Sequence, residues 1–311
     1  MIRKLASQTL IYGLSSIVPK VINYLLAPYL TYRIMSDEEF GAYNYLYAVI
    51  PFCLALLTMG METGYFRFAG KSESEEQKRT VFGTIWGSVI LFSTLFFLIV
   101  FLFRNQINQL FDATFMVCVI PITAGLIAVD AVTSIPFAKL REEGKAFRFT
   151  LIRSLSVIVN VALTVFFYSA LPLLRDTLFF GWMWVPGLGP GYAILANLIA
   201  STVTLLVLWP DYRGISIRIK PSLLRAVLVF SFPLFVGGFF GIANEFLDRV
   251  LQGRFLPGDV AERLAQIGVY SATLKVTALM VIFTQMYRYA AEPLFLSKVK
   301  KDDFKAYNAE A

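Results

Sequence analysis

The run Thr80 to Phe103, TVFGTIWGSVILFSTLFFLIVFLF, holds 24 residues without a single charge. At 1.5 Å per residue a helix of that length spans about 36 Å, more than the ~30 Å of hydrocarbon in a bilayer. The run reads as a transmembrane helix. The same test, applied outward from it, finds Gly41 to Met61, Ser154 to Leu174 and a long stretch from Thr177 to Pro210, with Ala226 to Asn244 close behind. Three further apolar stretches carry one interior charge each: Ser7 to Thr31 with Lys20, Ala113 to Ala138 with Asp130, and Leu264 to Tyr287 with Lys275. Gly and Pro break the 177–210 stretch at GWMWVPGLGPG, which reads as an interfacial loop with tryptophans in the headgroup belt. Eight spans result, and the fold class is an all-α integral membrane protein.

Composition agrees and removes most enzyme chemistry. Of 311 residues, 57% are hydrophobic and 16% charged, too few charges to cover a water-soluble globule. The absence of His rules out a Ser-His-Asp triad, a Cys-His nucleophile and a His-based zinc site. No P-loop, dinucleotide fingerprint or Cys cluster occurs, so neither cofactor nor metal is expected. Cys53 and Cys118 lie in apolar runs, where buried free thiols act as small hydrophobes.

The net charge of +7 would suggest nucleic acid on a soluble protein, but on a membrane protein it first reports topology. Both chain ends placed in the cytoplasm put Lys71, Lys78, Arg79, Lys139, Arg141, Lys145, Arg148, Arg213, Arg218, Lys220 and the tail lysines inside. Outside remain Arg33, Arg104, Arg175, Arg249, Arg254 and Arg263, outnumbered about three to one. No nucleic-acid partner is expected, and no cleavable leader follows Arg3 and Lys4.

A repeat emerges at the starts of two spans. Phe40-Gly41-Ala42-Tyr43 and Ile267-Gly268-Val269-Tyr270 each follow a polar loop and each precede an apolar run, ending in Phe66-Arg67-Phe68 and Tyr287-Arg288-Tyr289. Spans seven and eight then copy spans one and two. On this reading 1–210 is a first six-helix lobe, and 211–311 is a cytoplasmic linker with the first two helices of a second lobe that stops short.

Charges within the bilayer need partners, water or ligands. Depth places Asp130 opposite Arg153 and Glu245 opposite Lys275, with Asp248 competing for the lysine. Lys20 has no acid at its depth and follows Pro19, which kinks the helix by freeing the Ser15 carbonyl. Glu62 and Arg67 sit five apart at the end of span two, too far for an i, i+4 pair. Pro233 with Gly237, Gly238 and Gly241 provides a bend point or a close helix approach.

Four segments carry a resemblance to a known family: Met35-Ser36-Asp37-Glu38-Glu39-Phe40-Gly41-Ala42-Tyr43; Thr58-Met59-Gly60-Met61-Glu62-Thr63-Gly64 with Arg67-Phe68; Phe230-Ser231-Phe232-Pro233-Leu234 with Asp248-Arg249; and Gly268-Val269-Tyr270-Ser271 with Lys275. The ending Tyr287-Arg288-Tyr289-Ala290-Ala291-Glu292-Pro293 adds to them. Along its whole length the chain resembles the Wzx-type polysaccharide and oligosaccharide-lipid flippases. The resemblance implies two six-helix lobes around a cationic cavity in the bacterial inner membrane. It implies that the cavity binds the diphosphate and sugars of an undecaprenyl-linked oligosaccharide while the lipid tail stays in the membrane. It also implies lobe rocking coupled to an ion, with a polysaccharide polymerase and chain-length proteins as further partners. Lys20, Arg67, Arg153, Lys275 and Arg288 are the candidate cavity cations. Glu62, Asp130, Glu245 and Asp248 are the candidates for ion coupling or pairing, and Pro19, Pro233, Gly237 and Gly241 for hinges. A cation-coupled multidrug antiporter of the same superfamily is the alternative, for which interior acids should dominate over bases. A membrane-embedded glycan ligase or polymerase would need catalytic acids or bases and a large outer loop, and the outer loops here are short.

Overall fold

The computed structural model describes residues 26, 28–31, 34–112, 115, 117–177, 180–275, 277 and 280. Its elements are α1 (Asp37–Thr58), α2 (Met61–Gly70), α3 (Glu75–Leu102), the short α4 (Arg104–Leu110), α5 (Val119–Glu142), α6 (Ala146–Leu174), α7 (Gly191–Val207), α8 (Pro221–Phe255) and a helix over 260–275, here α9. No strand occurs among the described residues. The α1–α2 unit, α3, α5, α6 and α8 are each long and apolar enough to cross a membrane, and α7 is a shorter apolar helix. The chain is an all-α, multi-pass membrane protein.

Local chemistry sets the helix ends. Ser36 and Glu39 form a reciprocal capping box at the start of α1, with bonds of 3.2 and 3.1 Å between each side chain and the other's amide. Two orphan amides are thereby satisfied. α1 and α2 are one span broken at Met59 and Gly60, both left-handed with φ of 43° and 68°. Gly60 is suited to that conformation, and a Cβ there would also lie 3.1 Å from the Ser231 carbonyl oxygen of α8. Gly64, one turn into α2, meets the same serine: its Cβ would lie 2.6 Å from the Ser231 hydroxyl. The Thr58-to-Gly64 motif is therefore a seat for α8.

α5 packs between α3 and α7 as the most buried of the spans. Pro136 inside it lacks the amide that would bond the Val132 carbonyl. The Trp86 indole N–H of α3 donates to that carbonyl at 3.0 Å, so the proline defect becomes an interhelical bond. Trp86→Phe is expected to cost about 1–3 kcal/mol by stranding a buried carbonyl. Adding Pro136→Ala restores the intrahelical donor and should recover most of the loss, read as the thermal midpoint of the purified protein. No recovery in the double variant would show that the bond is not the cause.

At one end of the bundle, Glu143 lies between Lys139 and Lys145 at 2.8 and 2.7 Å. Burial pushes its carboxyl up, but the two ammonium groups outweigh burial and hold it below its ordinary range. Beside them Asp211 is gripped by Arg148 at 2.8 Å and by Lys139 through its carbonyl at 2.9 Å. The segment after it runs over α3, where Gly83 and Gly87 leave room for Ser216 and Ile217, and Thr84 donates to the Arg218 carbonyl at 3.0 Å. The linker into α8 is thus fastened to the preceding helices.

At the opposite end α9 crosses α1 backbone to backbone. A Cβ on Gly41 would overlap the Leu264 carbonyl oxygen, and a Cβ on Gly268 would overlap that of Asp37. Leu264 stands four residues before Gly268, and Asp37 four before Gly41. The contact is reciprocal, with each glycine facing the carbonyl one turn before the other. The two sequence-similar motifs therefore meet at a local two-fold exchange, and Asp112 ties to Arg263 beside them at 2.8 Å.

Three expectations change here. α8 continues to Phe255, so Arg249 and Arg254, expected in an outer loop, lie on a helix. Gly237, Gly238 and Gly241 make no close approach to the described residues, since a Cβ on any of them would meet none of these within 4 Å. The tight glycine of α8 is Gly253, whose Cβ would strike the Tyr45 ring. Cys118 is exposed rather than buried, while Cys53 is partly buried.

Candidate functional site

A cavity of about 310 Å³ lies among α1, α5, α6, α7, α8 and α9. Regular spacing builds its walls. Tyr43, Asn44 and Tyr47 share one face of α1; Arg153, Ser156, Asn160 and Thr164 run down one face of α6; Asn197, Ser201 and Thr204 do so on α7. Asp130 and Thr133 enter from α5, Arg249 from α8 and Lys275 from α9. Among the described residues the charged lining is three cations and one acid.

Asp130 and Arg153 share the cavity but make no salt bridge. The Asp130 carboxylate has the Ser201 hydroxyl as its hydrogen-bond neighbour, and the Arg153 guanidinium stacks over Phe137 at 4.4 Å. The expected ion pair is therefore a pair of facing charges with space between them. The expected Glu245–Lys275 pair is absent, because Glu245 is exposed on α8. Nor does Asp248 take the lysine: its carboxylate accepts from the Tyr270 hydroxyl at 2.6 Å and from the Arg249 amide at 2.7 Å. Lys275 makes no ion pair among the described residues, and its nearest charged influence is the like charge of Arg249.

Arg249 is the residue that sequence reasoning placed wrongly, in an outer loop. Its side chain is 15% exposed, its Nε is 3.8 Å from Asp248, and that Nε is buried without a hydrogen-bond partner. The Asp-Arg pair was visible in the sequence, but a hydropathy window ends a helix at such charges. Asn44, Asn160 and Asn197 were missed as well, and the signal for them was there: three carboxamides inside apolar spans, each of which needs partners in a membrane. The Asn197 amide donates to the Tyr47 hydroxyl, while the Asn160 carboxamide oxygen is buried without a partner.

Two other candidates lie away from the cavity. Arg67 is exposed at the seam of α2 and α8, its guanidinium 4.1 Å over the Phe230 ring. Glu62 is paired with Arg141 of α5 at 2.6 Å. Pro233 lies inside an unbroken α8 with Gly237 and Gly241. Lys20, Pro19 and Arg288 lie outside the described residues. No cluster of three potential metal ligands occurs among the described residues.

Three cations around one acid, lined by hydroxyls and amides, suit an anionic ligand with a hydroxyl-rich portion. In low dielectric a fixed cation counts for more than it does in water, and phosphate oxygens are its strongest partners. Comparison with curated proteins and with solved structures returned no match. The model of the family described as polysaccharide biosynthesis protein matches residues 5–297. A membrane bundle with a polar, net-cationic cavity and that match across nearly all of its length place the chain in the polysaccharide biosynthesis protein family, that of the Wzx-type polysaccharide flippases and exporters.

Proposed function

We propose that the protein flips an undecaprenyl-diphosphate-linked oligosaccharide across the bacterial inner membrane by alternating access, for assembly of a surface polysaccharide. The observation that carries this reading is the cavity charge: Arg153, Arg249 and Lys275 against Asp130. An antiporter of cationic drugs would need the opposite balance.

In this reading residues 1–210 form one lobe, and 211–311 form a cytoplasmic linker and the start of a second lobe. Both ends of the chain face the cytoplasm, as the basic residues favour. The crossing at Gly41 and Gly268 and the Asp112–Arg263 pair then close the cavity on the outer side, and rocking must part them. The linker fastened over α3 is the inner pivot.

Reconstitution tests the reading. Proteoliposomes loaded with a fluorescent undecaprenyl-diphosphate oligosaccharide should expose the glycan to a membrane-impermeant quencher faster than protein-free vesicles do. Equal rates, together with extrusion of a lipophilic cation under a proton or sodium gradient, would sink the flippase reading in favour of the antiporter.

A further inference from the structure

Two buried polar atoms at the cavity lack partners among the described residues, and they are of opposite kind on different helices. The Arg249 Nε–H is an unused donor on α8, and the Asn160 carboxamide oxygen is an unused acceptor on α6. Each leaves a desolvation penalty that a ligand of matching chemistry removes. The donor has Asp248 at 3.8 Å, beyond hydrogen-bond reach and engaged by Tyr270, and a second cation, Lys275, as its neighbour, so two cations stand against one occupied acid and that side wants an anion. The acceptor stands in a different setting: Asn197 and the Tyr47 hydroxyl, bonded to one another, lie across α7 and α1. Ser201, one turn from Asn197 on the same face of α7, holds the Asp130 carboxylate. That side offers neutral donors and acceptors and one opposed pair of charges, Asp130 and Arg153.

α8 packs on α1, α2 and α3, whereas α6 and α7 pack on each other, and α1 stands between the two settings with Tyr47 bonded to Asn197. We propose that the cavity has two subsites, a cationic one on α8 and α9 and a carboxamide one on α6 and α7 that Tyr47 of α1 completes. Arg249 and Lys275 grip the diphosphate, while Asn160, Asn197 and Tyr47 read the first sugar and select an uncharged one. This rests on the flippase reading and adds to it the chemistry of the sugar. A hydroxyl or acetamido N–H donates to the Asn160 oxygen, and the Asn197 amide and Tyr47 hydroxyl bond the neighbouring positions. A uronic acid in the same place puts a second carboxylate beside Asp130, and the single guanidinium of Arg153 has both to balance.

Three probes separate the subsites in the full chain in lipid nanodiscs: undecaprenyl diphosphate, the same lipid bearing one N-acetylglucosamine, and the same lipid bearing one glucuronic acid. Wild type should bind the neutral glycolipid at least tenfold more tightly than the bare lipid, and the acidic one no more tightly than the bare lipid. Asn160→Leu and Asn197→Leu should each weaken the neutral glycolipid about tenfold and leave the bare lipid unchanged, which also shows that the variant is folded. Arg249→Gln should weaken all three alike. Loss of both lipids in Asn160→Leu and again in the milder Asn160→Ser, or no loss of either, overturns the sugar subsite. An acidic glycolipid that binds as tightly as the neutral one overturns the selection for uncharged sugars. Bare-lipid binding that is indifferent to Arg249→Gln overturns the diphosphate subsite, whereas wild type that binds none of the three lipids overturns the flippase reading on which both subsites rest.

Discussion

Gly41→Val is expected to be among the most damaging single substitutions, lowering the thermal midpoint sharply and abolishing export. Position 41 sits in the reciprocal crossing with α9, and even one methyl group would overlap the Leu264 carbonyl oxygen. A backbone oxygen on a packed helix cannot rotate away as a side chain can, so α1 and α9 must separate. Overpacking of a tight contact costs about 1–3 kcal/mol, occasionally more, and the β-branched side chain adds a second clashing methyl. Gly268→Ala meets the Asp37 carbonyl in the same way from the other helix. Because one separation of the helices relieves both clashes, Gly41→Ala and Gly268→Ala together should cost clearly less than the sum of the two. Strict additivity would show that the glycines do not share one contact. Gly237→Ala is the control. With nothing within 4 Å of its Cβ, it should leave the midpoint level or raise it through better helix propensity, worth up to about 1 kcal/mol. If Gly237 is a hinge, as its sequence setting suggests, the same substitution lowers the transport rate without lowering the midpoint.

The helices themselves were legible because the signal for them is cumulative. About twenty apolar residues leave the backbone one way to satisfy its hydrogen bonds in lipid, and each long span the structure describes coincides with such a run, α5 alone of them with a charge, Asp130, at its middle. The end of α8 was misread because a hydropathy rule takes Arg249 and the charges after it for solvent. The helix carries them instead, with Asp248 held by Tyr270 and Arg249 turned to the cavity.

Pairing failed for a related reason. Depth along a span fixes height but not azimuth, so Glu245 stands near the level of Lys275 and still has its side chain exposed. The partner of Glu62 could not be read from spacing along its own helix. It is Arg141, 79 residues away, held where α2 and α5 meet and flanked by Phe66 and Phe149 at 5.1 and 5.8 Å. What did transfer from sequence to site were residues whose burial has no cheap local solution. Arg153 and Lys275, each a charge in an apolar span, both reach the cavity. The repeat shows the same logic. Gly-x-Tyr is a weak motif as a string, yet both of its glycines are fixed by one backbone crossing that no larger residue fits.

Arg249→Gln with Lys275→Gln is expected to reduce transport by about a hundredfold or more while leaving the protein as stable as before, or more so. A charge-assisted hydrogen bond contributes a net of about 1.5–3 kcal/mol, and each 1.4 kcal/mol is tenfold in affinity. Loss of two such bonds to a diphosphate is therefore enough to abolish export at physiological substrate levels. The cavity lining then keeps Arg153 against Asp130 and loses its positive balance. The effect on stability has the opposite sign, because in the ligand-free protein the two cations repel each other and Lys275 gains no compensating acid. Removal of both relieves that repulsion, so the thermal midpoint should hold or rise as binding falls. Inorganic pyrophosphate should raise the wild-type midpoint in proportion to RT ln(1 + [L]/Kd) and leave the double variant unmoved. The single variants should lie between the two, with Arg249→Gln the more severe, since its Nε is a buried donor at the cavity that no described group satisfies. A fall in midpoint equal to the loss of transport would make these residues structural. A pyrophosphate shift retained in the double variant would move the anion site elsewhere in the cavity, with Arg153 the remaining cation to carry it.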